Sequence, residues 1–279
     1  MTDRDEMGTR SGSTFGDVSA VESLGPGRWA ATLAEGWDIV GNTNGGYLLA
    51  IIARAMAAES GRDPITITGH FLSPGRAGPV DIDTRVLKAG RTLTTVSATM
   101  TREERPVLAA LGTLGPSPIG DDVLLRDANP VDLPDPQTLP RIRHNPEVGF
   151  PPPFMERVDL RLHPDDMQFS FGRPSGQPTM RGWFRLRDGE PIDAEALILA
   201  ADSFPPTVFN LGGHIGWAPT VELTVHVRGL PAPGWLRMDF RTRFISHQRL
   251  EVDGLIWNEA GQLVAQSRQI ALIPAKAGA

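Results

Sequence analysis

The chain of 279 residues contains no cysteine. This excludes disulfides, thiolate metal sites and a cysteine nucleophile. The formal net charge is −6 and no block of basic residues stands out, so we expect no general nucleic-acid binding. No apolar run approaches the roughly 18 residues of a membrane span, and the polar first residues lack the apolar core of a signal peptide. We therefore expect a cytoplasmic protein that does not bind membranes.

Several common catalytic signatures are missing as well. The six histidines show no HExxH or similar ligand spacing, which gives no support for a metal site. The sequence has no G-x-S-x-G elbow of a serine hydrolase. Neither GxGxxG nor GxxxxGK[ST] occurs, so a nucleotide cofactor bound through such a loop is not expected. We predict a protein without metal or cofactor.

The first half of the chain combines one apolar helix with β-type segments. Residues 41–46 are rich in turn and capping residues, and residues 47–58 are apolar nearly all round, which indicates a buried helix. A first strand is predicted at residues 28–33. Four further runs separated by hairpin-type turns predict an antiparallel meander at residues 65–72, 80–87, 92–100 and 107–114.

The second half repeats this pattern. Strands are predicted at residues 168–171 and 180–186, and an apolar helical segment follows at 194–201. Four β-type runs come next, at residues 220–227, 235–244, 250–257 and 263–273. A helix plus a four-stranded meander, present twice, predicts an internal duplication.

Composition predicts the boundaries of the two copies. Residues 1–12 are expected to form a disordered tail, and residues 13–117 the first domain. Residues 118–153 are rich in proline and predict a linker on the surface. Residues 154–279 form the predicted second domain.

The apolar helical segment of the second half stops at Asp202-Ser203 and is followed by Phe204-Pro205-Pro206. Asp and Ser are strong N-cap residues and proline is tolerated in a first helical turn, which predicts a carboxylate at the start of a short helix. An ungapped overlay of His70 on His226 places Gly46 on Asp202. Asp202 is then either a structural cap or a base close to backbone donors.

The segment Asn44-Gly45-Gly46-Tyr47-Leu48 opens a buried helix that precedes a meander. This arrangement resembles the hotdog fold, and the fused pair resembles the double-hotdog acyl-CoA thioesterases of the acyl-CoA thioesterase II type. The resemblance covers nearly the whole chain outside the linker. It implies an α+β fold of two fused hotdog domains, each a central helix wrapped by an antiparallel sheet, and a thioester hydrolase that acts on acyl-CoA.

The resemblance assigns catalytic roles to three residues: Asp202 in Ala-Asp-Ser-Phe, Thr220 at the start of the next strand, and Gln269 on the last strand. Asp202 would activate water, and Thr220 and Gln269 would fix the approach of that water. Burial beside Phe204, Trp217 and the apolar helix would raise the pKa of Asp202.

The expected substrate-binding residues are Gly45, Gly46 and Tyr47. Backbone N–H groups at the start of the first helix can be aimed at a developing oxyanion, and glycine permits close approach of the thioester. The two unlike helix starts would then supply two parts of one site. Alternatively, the glycines only relieve crowding where the helix packs.

Several alternatives stay open at the level of the sequence. Glu222-Leu223 stands where the family usually has an Asp-His pair, Gln266 competes with Gln269, and Thr224 competes with Thr220. A non-catalytic acyl or aromatic ligand-binding protein and an enoyl-CoA hydratase-type enzyme are the rival functions. Two fused hotdogs imitate a hotdog dimer, so the chain can work as a monomer, while exposed sheet edges make a homo-oligomer plausible.

Overall fold

The computed structural model describes residues 13–117, 123–212 and 218–273. The tail predicted at residues 1–12 and the indole of Trp217 therefore lie outside the described residues. No helix in the described part of the chain is long and apolar enough to cross a membrane.

The first half is a helix enclosed by strands. Helix α2, Gly45–Ser60, has Asn44 as its N-cap, whose side chain accepts the Tyr47 N–H, and the helix is closed by Gly61 in the left-handed conformation. Most of its residues are buried, which confirms the buried helix predicted from the sequence. The elements of this half are α1 Phe15–Val18, β1 Glu22–Gly25, β2 Arg28–Leu33, β3 Asp38–Ile39, β4 Asn42–Thr43, α2 Gly45–Ser60, β5 Asp63–Phe71, β6 Gly78–Ala89, β7 Thr94–Arg102 and β8 Arg105–Gly115.

The second half has the same plan. Its elements are β9 Val158–Leu162, β10 Thr179–Leu186, α3 Ala194–Ala200, β11 Thr220–Val227, β12 Leu236–Arg241, β13 Ile245–Ser246, β14 Arg249–Asn258 and β15 Leu263–Leu272. Short 3-10 helices lie at Pro136–Thr138, Pro153–Glu156, Gln168–Phe171 and Thr207–Leu211. The strand predicted at residues 168–171 is wrong, because a run of four residues with two phenylalanines is too short to separate a strand from a helical turn, and left-handed Gly172 closes the turn.

The strands form one continuous antiparallel sheet. Its order is β1-β2-β6-β7-β8-β5-β11-β15-β14-β12-β10-β9, with β13 paired to β14 and with β3-β4 forming a separate hairpin. The predicted meanders are confirmed for β6-β7-β8 and β12-β14-β15. They are wrong for β5 and β11, which cross over to pair with the last strand of their own half and with each other.

The order is symmetric about the β5–β11 pair, so the expected double hotdog is confirmed. Thr68 lies opposite Thr224 at the centre of this pair, with their hydroxyl oxygens 2.8 Å apart. The sequence overlay therefore holds for the central strands, but it fails for the helices, since α3 begins at Ala194 with Asp193 as its N-cap.

This shift changes the interpretation of Asp202. Its backbone N–H donates to the Leu199 carbonyl at 3.1 Å, so Asp202 follows the C-terminal end of α3. The next helical turn, Thr207–Leu211, has Pro206 as its N-cap. The prediction that Asp202 begins a helix of its own is therefore wrong.

Helices α2 and α3 pack against each other, and both also contact the sheet. The start of α2 meets the end of α3, where Gly46 lies against Asp202 and the carbonyl of Leu199. At the other end, Arg54 of α2 meets the start of α3, with Nη2 2.8 Å from Asp193 Oδ2 and Nη1 3.8 Å from Glu195 Oε2. We call these the Gly46 joint and the Arg54 joint.

The proline-rich segment between the halves is mostly exposed, but it is anchored to the second sheet. Trp183 donates its indole N–H to the Pro134 carbonyl at 2.8 Å. Leu139 is buried in a small cluster with Trp183 and Trp235. From this anchor the chain continues to residues 141–143 and 150–152, which form part of the cavity described below.

The Gly46 joint leaves no room for a side chain. A Cβ on Gly46 would lie 2.9 Å from Asp202 Cβ and 2.9 Å from the Leu199 carbonyl oxygen. We expect Gly46→Ala to lower the free energy of unfolding by about 1–3 kcal/mol, because neither neighbour can move without shifting backbone. Urea unfolding measures this change.

Gly229→Ala is the matched control, because the nearest atoms to a Cβ there lie at 3.9 Å. If the two variants unfold at the same urea concentration, the close packing of the two helices at Gly46 does not restrict this position.

Candidate active site

A cavity of about 720 Å³ lies beside the Gly46 joint and is lined by both halves and by the segment that connects them. Asp202, Thr220, Gln269 and Gly45 all line it. The structure thus brings three predicted catalytic residues and one predicted binding residue to a single space.

The carboxylate of Asp202 is held by the first turn of α2. Its Oδ2 accepts the Gly46 N–H at 2.8 Å. The side-chain amide of Asn44 donates to the Asp202 carbonyl at 2.9 Å and lies 3.4 Å from Oδ2. The N-terminal end of a helix favours negative charge, so α2 stabilises an ionised carboxylate supplied by the other half of the chain.

Burial has the opposite and larger effect on this carboxyl. It raises the pKa of Asp202 to about 6, although the amides of Gly46 and Gly45 lower it. The direction agrees with the sequence prediction. A carboxyl with this pKa is mostly ionised at neutral pH and is a better proton acceptor than an ordinary aspartate.

Thr220 and Gln269 form a pair on neighbouring strands, in which the Gln269 side-chain amide donates to the Thr220 hydroxyl. The pairing of β11 with β15 is irregular between Thr220 and Glu222. Such a bulge redirects side chains at the end of a strand. Thr220 accordingly lines the cavity from the first position of β11.

The two alternative residues lie elsewhere. The Thr224 hydroxyl donates to Glu222 Oε1 at 2.6 Å and contacts Thr68. Gln266 accepts a hydrogen bond from Arg228 Nε at 2.9 Å. Neither side chain lines the cavity, so the geometry favours Thr220 and Gln269.

Two of the predicted binding residues need correction. The Gly46 N–H donates to Asp202, so it is not a free donor for an oxyanion. Tyr47 is fully buried in the core and stacks on Trp37, with ring centroids 4.6 Å apart. Its hydroxyl donates to the Val18 carbonyl at 2.6 Å, so Tyr47 does not reach the cavity.

Sequence reasoning missed two contributions to the site. Asn44 caps α2 through Oδ1 and contacts Asp202 through Nδ2, a double role signalled only by its position before two glycines. Residues 141–143 and 150–152 of the connecting segment form one side of the cavity. Arg141 is fixed there by the Met155 carbonyl at 2.6 Å and by Glu156 at 3.0 Å.

The described residues contain no group of three or more histidine, aspartate or glutamate side chains placed to hold a metal ion. Among the polar groups that line the cavity are the Asp202 carboxylate, the Thr220 hydroxyl and the side-chain amides of Asn44 and Gln269. Such groups can accept a proton from water and direct hydrogen bonds at a carbonyl.

Comparison with known proteins gives the family. Residues 33–115 match the sequence model of the acyl-CoA thioesterase N-terminal domain, and residues 127–273 match that of the C-terminal domain. The crystal structure of a "putative thioesterase II" from Thermobifida fusca YX is similar with a TM-score of 0.85 and 33% identity, covering 94% of this chain and 97% of that one.

Two more relatives extend the comparison. A protein of unknown function with a hot dog fold from Alicyclobacillus acidocaldarius has a TM-score of 0.81 and 23% identity, covering 94% of this chain and 98% of its own. An uncharacterised protein of Mycobacterium tuberculosis is 29% identical over 279 residues, covering 90% of this chain and 94% of its own. With both domain matches in order along one chain, the protein belongs to the acyl-CoA thioesterase family.

Proposed function

We propose that this protein hydrolyses acyl-CoA thioesters to the free acid and coenzyme A, with Asp202 as the base that activates water. The observation that carries the proposal is the Asp202 carboxyl, with a pKa of about 6, at a cavity of about 720 Å³ that also contains the Thr220–Gln269 pair. The family match supports the reaction class.

The hydrogen bonds around the cavity suggest how the water is oriented. Because Thr220 accepts from Gln269, its own O–H is available to donate into the cavity. Asp202 Oδ2 accepts the Gly46 N–H, and we assign Oδ1 the role of proton acceptor. A water that accepts from Thr220 and donates to Asp202 keeps a lone pair for attack on the thioester carbonyl.

The reaction then needs no covalent enzyme intermediate. The water oxygen bonds to the carbonyl carbon while its proton moves to Asp202. Collapse of the tetrahedral intermediate breaks the C–S bond, and the departing thiolate takes the proton back from Asp202. Gln269 has a second amide N–H, which in this proposal donates to the oxyanion.

Asp202→Asn tests the base directly. We expect kcat to fall by about 10²–10⁴, the usual contribution of a positioned general base, with binding of acyl-CoA retained. Thiol release is measured on short, medium and long acyl-CoAs, with circular dichroism to check the fold. Asp81→Asn, on an exposed position outside the cavity, is the matched control.

Unchanged turnover in Asp202→Asn would remove this residue from the mechanism. Well-folded wild-type protein that binds acyl-CoA but releases no thiol would favour a ligand-binding protein. Water addition to crotonyl-CoA would instead favour a hydratase.

The pH dependence follows from the raised pKa. Asp202 must be ionised to accept a proton, and it is protonated below its pKa of about 6. We therefore expect kcat/KM to rise with pH and to reach half its plateau near pH 6. An acid limb near pH 4, the ordinary aspartate range, would contradict Asp202 as the base with a raised pKa.

Variants of Asn44 test whether this residue positions the Asp202 carboxyl or only stabilises helix α2. Removing its side-chain amide takes a donor away from Asp202, so the pKa should rise and the acid limb should move to higher pH. We expect Asn44→Ala to show this shift and also to lose about 1 kcal/mol of stability with the helix cap.

Asn44→Ser is the conservative partner, because serine caps a helix but carries no amide. It should regain stability in urea unfolding while keeping the shifted acid limb. If Asn44→Ser recovers both the stability and the wild-type acid limb, Asn44 acts only as a helix cap.

A further inference from the structure

Phenylalanine is concentrated at the cavity. Seven of the eleven phenylalanines of the chain line it. Phe150 and Phe171 are exposed, with 46% and 60% of their surface accessible, whereas Phe240 is buried and the other four are partly buried. The cavity thus has aromatic rings in its walls and others open to solvent.

Four of these rings form two tilted pairs. The centroids of Phe204 and Phe240 are 5.2 Å apart at an interplanar angle of 48°. Those of Phe169 and Phe209 are 5.4 Å apart at 49°. Rings in such arrangements offer both edges and faces, which are the surfaces that a further aromatic ring contacts favourably.

The rings also border the reacting carboxylate. A Cβ on Gly45 would lie 2.8 Å from Asp202 Oδ2 and 2.9 Å from Phe71 Cζ, so the Phe71 ring edge and the carboxylate border the same point. Phe204 follows Asp202 by two residues and comes from the other half of the chain. The cavity that contains this carboxylate is therefore lined by phenyl rings from both halves of the chain.

The walls between these rings are stiff. Pro205-Pro206 lies beside Phe204, and Pro151-Pro152 lies beside Phe150. Proline has a fixed φ, so these segments have less backbone freedom than an ordinary loop. A ring loses little conformational freedom on entering such a space, whereas an alkyl chain loses rotation about many bonds.

We infer that the substrates of this site carry an aromatic ring close to the thioester carbonyl, as arylacetyl thioesters do. This inference rests on the proposed function for its chemistry, and it adds the class of acyl group. The aromatic walls, rather than the length of the cavity, then set the specificity.

Three thioesters with eight acyl carbons each provide the test: phenylacetyl-CoA, cyclohexylacetyl-CoA and octanoyl-CoA. They differ in aromaticity and flexibility but not in carbon number. We expect kcat/KM for phenylacetyl-CoA to exceed that for octanoyl-CoA by about tenfold and that for cyclohexylacetyl-CoA by at least about twofold, the scale of one or two aromatic contacts. A preference for octanoyl-CoA would overturn the inference.

Phe71→Leu and Phe204→Leu remove one ring each while keeping an apolar side chain of similar size. Each should lower kcat/KM for phenylacetyl-CoA by about two- to tenfold and change that for cyclohexylacetyl-CoA less. Phe244→Leu, at a position 73% exposed and outside the cavity, is the control. An equal loss of kcat/KM on all three substrates would mean that the rings contribute only apolar contact area.

Binding distinguishes failure of this inference from failure of the proposed function. Calorimetric titration of Asp202→Asn with the three thioesters should give the same order of affinity. If wild-type protein hydrolyses none of them, hydrolysis is wrong, and the order of Kd for wild-type protein still decides the preference for an aromatic ring. Equal affinities, or no binding, would overturn it.

Discussion

The hydrogen bond from the Gly46 N–H to the Asp202 carboxylate joins the two halves of this protein at the point where chemistry is proposed. It requires an amide at the start of one helix and a carboxylate just beyond the end of the other. It also requires a glycine, because a Cβ at position 46 would overlap the neighbouring helix. The packing of α2 on α3 and the position of the Asp202 carboxylate therefore both depend on the same glycine.

The continuous sheet maintains this contact. Pairing of β5 with β11 fixes how the two halves face each other, and β11 begins with Thr220 at the cavity. The neighbouring β15 brings Gln269 to the same place. A carboxylate from a loop and a hydrogen-bonded pair from two strands thus meet because the two hotdogs share one sheet. The connecting segment adds a wall that neither hotdog provides.

The periodic parts of the fold could be predicted from the sequence, and the contacts between its halves could not. The apolar run before Gly61 indicated a buried helix, and the duplication followed from repeated patterns. The Asp-Ser-Phe-Pro-Pro sequence suits a helix start, yet Asp202 caps no helix of its own and instead serves one 156 residues away. Tyr47 directly follows Gly45 and Gly46 in the sequence, but its ring packs on Trp37 in the core and not at the cavity. Local sequence does not encode such long-range partners.

The Arg54 joint gives the duplication a further meaning. In a symmetric pair of hotdogs the two ends of the helix pair would be equivalent. At each end, the start of one helix would contact the other hotdog in the same way. Here the Arg54 joint is closed by a guanidinium between Asp193 and Glu195, while Phe15 covers that guanidinium at 5.4 Å. The counterpart of the Gly46 joint is thus occupied by the protein's own side chains. On the proposed function, the stoichiometry is one reacting acyl group per chain, half of what two independent hotdogs would offer.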